Sequence, residues 1–125
     1  MLEKLLTGAG VGSAMLTNKF LNRRRPLTGQ VLVTKFCNMT CEMCFTYPID
    51  SKSKMAQTSE PTLEQLTDII NQLCNLGAQV SVPFGGEPLI RKDIGAIIDV
   101  IKARNRYCVL YTNVTYLPKR IDDLH

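Results

Sequence analysis

Three thiols fall within eight residues of this chain, Cys37-Asn38-Met39-Thr40-Cys41-Glu42-Met43-Cys44. Spacings of four and then three bring the sulfurs within reach of one metal centre, and the run offers no obvious fourth ligand. Structural zinc sites are closed by four protein ligands, whereas catalytic metal sites keep a position open. Iron–sulfur clusters are usually held by four thiolates. A cube held by three would therefore leave one iron free to take an exogenous ligand. Zinc competes with iron for such a run. Closed in its fourth position by Cys74, Cys108 or the single histidine, His125, it would make a zinc-stabilised binding module that catalyses nothing. The ferredoxin run has two-residue gaps and a fourth cysteine before proline, whereas here the first gap is three residues and Phe45 follows Cys44. Unrelated buried cysteines also pack as small hydrophobes.

Two further runs carry candidate chemistry. Gly85-Gly86-Glu87-Pro88 places two residues without side chains where backbone could approach a ligand closely. Thr112-Asn113 offers an amide that can both donate and accept. In isolation the first reads as a Gly-Gly turn closed by Pro88 with Glu87 solvated, and Asn113 as a turn residue.

The elements that must position these residues alternate in type. Val31-Leu32-Val33-Thr34 reads as a buried strand that delivers the chain into Cys37. Residues 46–61 read as a polar loop. A helix follows over Thr62 to Leu76, with Leu63, Leu66, Ile69, Ile70, Leu73 and Leu76 on one face. Thr62 and Gln65 have capping-box spacing, Gly77 is placed as the stop, and Cys74 reads as core filler. A second strand, Gln79 to Phe84, runs into Gly85; Pro83 removes one ladder donor near its end. A second helix spans about Asp93 to Arg104, with Ile94, Ile97, Ile98 and Ile101 on one face and Asp93 as N-cap. The third strand is Tyr107 to Thr112, and a third helix begins at Ile121. Strand–helix–strand–helix–strand order means parallel pairing with crossovers. All three candidate runs then sit just past strand carboxyl ends, the edge where parallel α/β folds bind ligands.

Residues 1–26 form an amino-terminal helical, basic preface, and 27–125 the domain. Leu2, Leu5, Leu6, Met15, Leu16 and Phe20 predict an amphipathic helix broken at Gly8, Gly10 and Gly12 and ended by Arg23-Arg24-Arg25 and Pro26. Packing against the domain is its first reading and a membrane-surface role its second.

Composition excludes several classes. A chain of 125 residues with 45% hydrophobic and 21% charged residues is one globular domain. Its net charge of +4 is concentrated near Lys19 and Arg23–Arg25, so it does not by itself imply nucleic acid. Five cysteines, an odd number, argue against a disulfide framework and for a reducing, cytoplasmic setting. The apolar stretch Leu5 to Leu16 is shorter than the roughly 20 residues of a membrane span.

Taken together, Cys-x-x-x-Cys-x-x-Cys after the first strand, Gly-Gly-Glu-Pro after the second and Thr-Asn after the third resemble the radical S-adenosylmethionine superfamily, over about residues 30–125. Within it the run is most similar to the branch of molybdenum-cofactor cyclases and peptide-modifying enzymes. The resemblance implies an α/β fold, here the amino-terminal half, about three β/α units, of a partial TIM-type (β/α)6 barrel with parallel strands. It implies that Cys37, Cys41 and Cys44 ligate three irons of a 4Fe–4S cluster and that S-adenosylmethionine binds the fourth. Gly85, Gly86, Glu87 and Pro88 would lie against its methionine moiety, with Thr112, Asn113 and Met43 as further cofactor contacts. The implied chemistry is reductive cleavage to a 5′-deoxyadenosyl radical, which abstracts hydrogen from an unspecified substrate. An electron donor of flavodoxin or ferredoxin type is implied as partner.

The sequence departs from the family pattern in three places. Met43 stands where an aromatic residue is common near the adenine, though its polarizable thioether can still cover a flat base. Val114 replaces a frequent glycine, and a β-branched residue disfavours positive φ, so the local turn is expected to differ. Only about three of six β/α units are present, so the chain reads as a fragment of a longer enzyme; a split enzyme completed by a second chain is the lesser alternative. The third strand is left as an apolar edge and an expected association site.

Overall fold

The computed structural model describes residues 2–21, 25–44 and 60–124, with side chains in the first helix from Ala9 onward. Arg23-Arg24, Phe45, most of the polar loop expected at 46–61 and His125 lie outside the described residues.

Three parallel strands form one open sheet in the order β1-β2-β3. Strand β1 is Thr28–Thr34, β2 is Val80–Gly85 and β3 is Tyr107–Cys108. Strands β1 and β2 run in register from Thr28↔Val80 to Leu32↔Phe84, then slip so that Thr34 faces Gly85. The parallel pairing expected from the strand–helix alternation is observed, and the open sheet is consistent with the partial β/α barrel that the resemblance implies.

Strand β3 is shorter than its apolar run, for a reason that lies in β2. The N–H groups of Tyr107, Val109 and Tyr111 donate to the carbonyls of Gln79, Ser81 and Pro83 at 3.0, 3.0 and 3.4 Å. In a parallel ladder a residue turns its N–H and C=O to the same neighbour. Pro83 accepts from Tyr111 and has no N–H to return, so regular pairing stops at Ser81↔Cys108 while the chain continues alongside.

Helix α1 spans Leu2–Phe20 without interruption, which corrects the expected break at Gly8, Gly10 and Gly12. A glycine costs a helix only about 1 kcal/mol relative to alanine, and Gly10 sits where a Cβ would press on the Gln79 side chain. Its distal turns project Met15, Leu16 and Phe20, the last 74% exposed, away from the domain.

Helix α2 is Leu63–Leu76. Its capping box forms as expected: the Gln65 N–H donates to Thr62 Oγ1 at 3.2 Å and the Thr62 N–H to Gln65 Oε1 at 2.9 Å. It stops at Gly77, whose φ of 111° is left-handed. The buried stripe is narrower than the apolar periodicity suggests. Leu66, Ile70 and Cys74 are buried and Leu73 packs beside them, while Leu63, Ile69 and Leu76 are exposed. Cys74 is core filler, as read from the sequence.

Helix α3 is Ile94–Ala103, burying Ile94, Ile97, Ile98 and Ile101. These four pack with Leu66, Ile70, Val31, Val33 and Leu89 into one core between the sheet and the two helices. Asp93 occupies the N-cap but makes no side-chain capping bond; its carboxylate is taken by Arg91. The third helix begins earlier than Ile121: α4 is Leu117–Arg120, and a 3₁₀ turn, Ile121–Leu124, follows. On the opposite side of the sheet Leu32, Val109 and Tyr111 are exposed.

Candidate active site at the carboxyl edge of the sheet

The three candidate runs emerge at one edge of the sheet, and backbone contacts join the first two. The Gly86 N–H donates to the Thr34 carbonyl at 3.0 Å, and the Glu87 N–H to the Phe36 carbonyl at 2.6 Å. A Cβ on Gly85 would collide with the Thr34 carbonyl; one on Gly86 would collide with the Phe36 carbonyl and Cys37 Cβ. The glycine pair is therefore required by the approach of the cysteine loop, a cause within the protein where the sequence pointed to a ligand.

Glu87 joins the second run to the third. It is fully buried, at 0% exposure, so the reading of it as a solvated turn residue fails. Its Oε1 accepts from the Leu89 N–H at 2.9 Å and the Thr112 hydroxyl at 2.7 Å, and its Oε2 accepts from the Asn113 N–H at 2.7 Å. Three donors offset the desolvation that burying a carboxyl group incurs. Pro88 is buried at the start of the 3₁₀ turn Pro88–Ile90 that follows.

Asn113 reaches back to the cysteine loop. Its Nδ2 donates to Asn38 Oδ1 at 3.0 Å and lies 3.9 Å from Cys37 Sγ, while Asn38 donates to Thr115 Oγ1 at 2.8 Å. Its Oδ1 accepts from the Thr115 hydroxyl at 2.6 Å. The next residue, Val114, adopts φ 60°, which overturns the expectation that its β-branch would force a different turn. Its N–H donates to Thr112 Oγ1 at 3.0 Å and its carbonyl accepts from Leu117 at 3.0 Å, so contacts on both sides hold the disfavoured conformation.

The cysteines differ in setting. Cys37 is half-buried at the strand end and accepts from the Met39 N–H at 3.4 Å. Cys41 is exposed, and the Cys44 N–H donates to its carbonyl at 3.1 Å, forming a turn. Among the described residues no three Cys, His, Asp or Glu side chains are gathered closely enough to hold a metal ion. One loop carries all three thiols, then, without converging them on a point. Met43 is 96% exposed, and the structure brings it against none of the other site residues.

Among the described residues, neither cysteine that could close a zinc site lies at this edge. Cys74 lies in the core under α2. Cys108 pairs with Ser81, four residues before Gly85, and burial pushes its thiol up to about 11, with Lys102 opposing weakly.

A second set of residues at the same edge has no spacing signal in the sequence. Arg91, with its side chain 10% exposed, donates through Nε and Nη2 to the two carboxylate oxygens of Asp93 at 2.8 and 2.7 Å. Its Nη1 donates to the carbonyls of Val33 at 2.8 Å and Pro61 at 3.0 Å and lies 3.5 Å from Glu60 Oε2. Arg91 holds the Asp93 carboxyl below its usual value of 3.8. Glu60 Oε1 accepts from the Thr34 hydroxyl at 3.0 Å and the Lys35 N–H at 2.9 Å, and Thr34 Oγ1 in turn accepts from the Phe36 N–H at 3.1 Å. Arg91–Asp93 and Thr34–Phe36 are two residues apart, but the other pairs lie 25 to 58 residues apart, and only the fold brings those together.

Residues 31–125 match the family model described as the radical SAM superfamily. The chain belongs to that superfamily. A GTP 3',8-cyclase of Alkaliphilus oremlandii (strain OhILAs) is 31% identical over 108 residues, 85% of this chain and 33% of the relative. An S-adenosylmethionine-dependent nucleotide dehydratase of Flammeovirga pacifica is 31% identical over 66% of this chain and 29% of its own length. An Fe-coproporphyrin III synthase of Methanosarcina barkeri (strain Fusaro / DSM 804) is 26% identical over 71% of this chain and 21% of its own length. The chain thus spans a third or less of the length of these relatives. No helix among the described residues is long and apolar enough to cross a membrane.

Proposed function

We propose that this chain forms the cofactor-binding, amino-terminal part of a radical SAM enzyme. Cys37, Cys41 and Cys44 would hold three irons of a 4Fe–4S cluster, with the fourth iron open to S-adenosylmethionine. The donor set fits: three soft thiols on one loop, Cys37 just past a strand end, Cys41 exposed and Cys44 half-buried. When bound, the pair would supply reductive cleavage of the sulfonium and a 5′-deoxyadenosyl radical for hydrogen abstraction.

The observation that carries the proposal is the buried carboxyl of Glu87, which ties the glycine run, Thr112 and Asn113 to one point beside Cys37. In this role Gly85 and Gly86 seat the cysteine loop on β2, and Pro88 fixes the exit from the strand. Thr112 is tied to Glu87, Asn113 presents its amide 3.9 Å from Cys37 Sγ, and exposed Met43 is available to cover an adenine. A flavodoxin- or ferredoxin-type donor would deliver the electron, and the reducing cytoplasm suits both thiols and cluster. The relatives' names specify a cyclase acting on GTP, a nucleotide dehydratase and a porphyrin synthase. The region they share with this chain would carry their common chemistry, with substrate choice residing in the remainder.

The test is anaerobic reconstitution with iron and sulfide, on the parent and on single Cys37→Ser, Cys41→Ser and Cys44→Ser variants. The reading predicts close to four irons and four sulfides per parent chain, as its 4Fe–4S assignment requires, and a large loss in every variant. Stoichiometric zinc in place of iron, retained in all three variants, would contradict it.

A further inference from the structure

Two independent attachments hold the segment that leads from β1 into Cys37. On one side the Thr34 and Phe36 carbonyls accept from Gly86 and Glu87. On the other side Glu60 Oε1 takes both the Thr34 hydroxyl and the Lys35 N–H. Thr34 is itself buried, at the last residue of β1. Without Glu60, the Lys35 N–H and the Thr34 hydroxyl would lose an acceptor where the chain turns from the sheet toward the first cysteine.

Glu60 is in turn held by what surrounds it. Arg91 lies 3.5 Å from its Oε2 and bonds the carbonyl of the adjacent Pro61, while the same Nη1 reaches Val33 of β1. The Asp93 fork fixes the guanidinium plane from the far side. Arg91 thus joins β1 to the entry of α2 and keeps Glu60 over the strand end. None of these groups is a thiol or touches one, so their effect on the cysteines is indirect.

We propose that Glu60, seated by Arg91, is a positioning residue for the cluster loop: it fixes the backbone at Thr34–Lys35 so that Cys37 is presented at a set position. The proposal rests on the cluster-site reading above for its consequence, and on the geometry of residues 33–37 for its cause. It makes a distinction between substitutions that a general packing role would not make. Gln at position 60 keeps an oxygen acceptor for Thr34 and Lys35, whereas Ala keeps none. Lys at position 91 keeps the charge but cannot engage Asp93, Val33 and Pro61 at once.

The experiment uses the full chain and two readouts. The first needs no cluster: alkylation of Cys37 by iodoacetamide in metal-free, reduced protein, followed residue by residue by mass spectrometry with exposed Cys41 as internal reference. In Glu60→Ala and Arg91→Lys the Cys37 rate should rise about fivefold relative to Cys41, as lost anchoring hydrogen bonds predict, and in Glu60→Gln it should stay within about twofold of parent. The second is the affinity of the three thiols for cadmium, read by thiolate charge-transfer absorption. It should fall about tenfold or more in Glu60→Ala, as for loss of an outer-shell support, and recover in Glu60→Gln. Equal Cys37 rates and cadmium affinities across parent and variants would overturn the proposal, whether or not a cluster assembles. So would Gln behaving like Ala. Failure of the parent to assemble a cluster, with the Cys37 pattern as predicted, would overturn the cluster reading and leave the loop anchor established.

Discussion

Glu87 and Val114 are the two positions where local chemistry and local conformation conflict with simple expectation, and both are held by bonds to Thr112 at the carboxyl edge of the sheet. Replacing Glu87 by Gln keeps the size of the side chain but turns one acceptor into a donor. Whichever way the amide faces, it opposes either the Asn113 N–H or the Leu89 N–H and Thr112 hydroxyl. We expect Glu87→Gln to lower unfolding free energy by about 1–3 kcal/mol, the cost of unsatisfied buried groups, measured by urea denaturation. Unchanged stability would mean that the three bonds contribute little. Val114 at φ 60° carries backbone strain of about 1–3 kcal/mol that glycine would not. Glycine brings extra unfolded-state entropy of about 0.5–1 kcal/mol, so Val114→Gly should stabilise by about 1 kcal/mol net. A destabilised variant would show that the valine side chain contributes more than its backbone loses.

At the scale of elements, the sequence was legible wherever a single segment determines its own structure. The α2 capping box and Gly77 stop are local in chain, and both were readable. The isoleucine face of α3 was readable for the same reason. What could not be read were choices made by a distant partner. Strand β3 ends early because Pro83, on another strand, lacks an N–H. The glycine pair is needed because the Thr34 and Phe36 carbonyls come close. Asp93 leaves its capping role because Arg91, two residues away but itself held by distant Val33 and Pro61, takes its carboxylate. That last exchange predicts a pH dependence. Arg91 lowers the folded Asp93 value below 3.8, so the stabilisation is fully present above the unfolded value and is lost as pH falls through the folded one. Stability measured from pH 6 downward should therefore fall below about pH 4, and Arg91→Met should flatten that decline. An identical slope in the variant would assign the acid sensitivity to other carboxylates.

For the whole molecule, the described residues form a three-stranded sheet with one covered and one open face. Leu32, Val109 and Tyr111 stand on the open side, and the outer edge of β3 has no strand partner among the described residues. Unpaired apolar edges recruit other chains. In isolation the chain should associate with rising concentration, seen by sedimentation velocity, and Val109→Lys should shift it toward monomer. A monomer at all concentrations would mean that the edge is protected. The gathering of three strand ends at one edge gives the cofactor proposal its sharpest consequence. If Cys37, Cys41 and Cys44 hold a cluster and Glu87 gathers the other strand ends beside it, the groups nearest the open iron already lie within this chain.

The most direct test is electron paramagnetic resonance of the anaerobically reconstituted, reduced protein with and without S-adenosylmethionine. We expect a 4Fe–4S signal whose g-values change when S-adenosylmethionine is added, because the ligand would occupy an iron left open by three cysteines. A colourless protein carrying zinc, or a cluster whose signal does not respond, would contradict it.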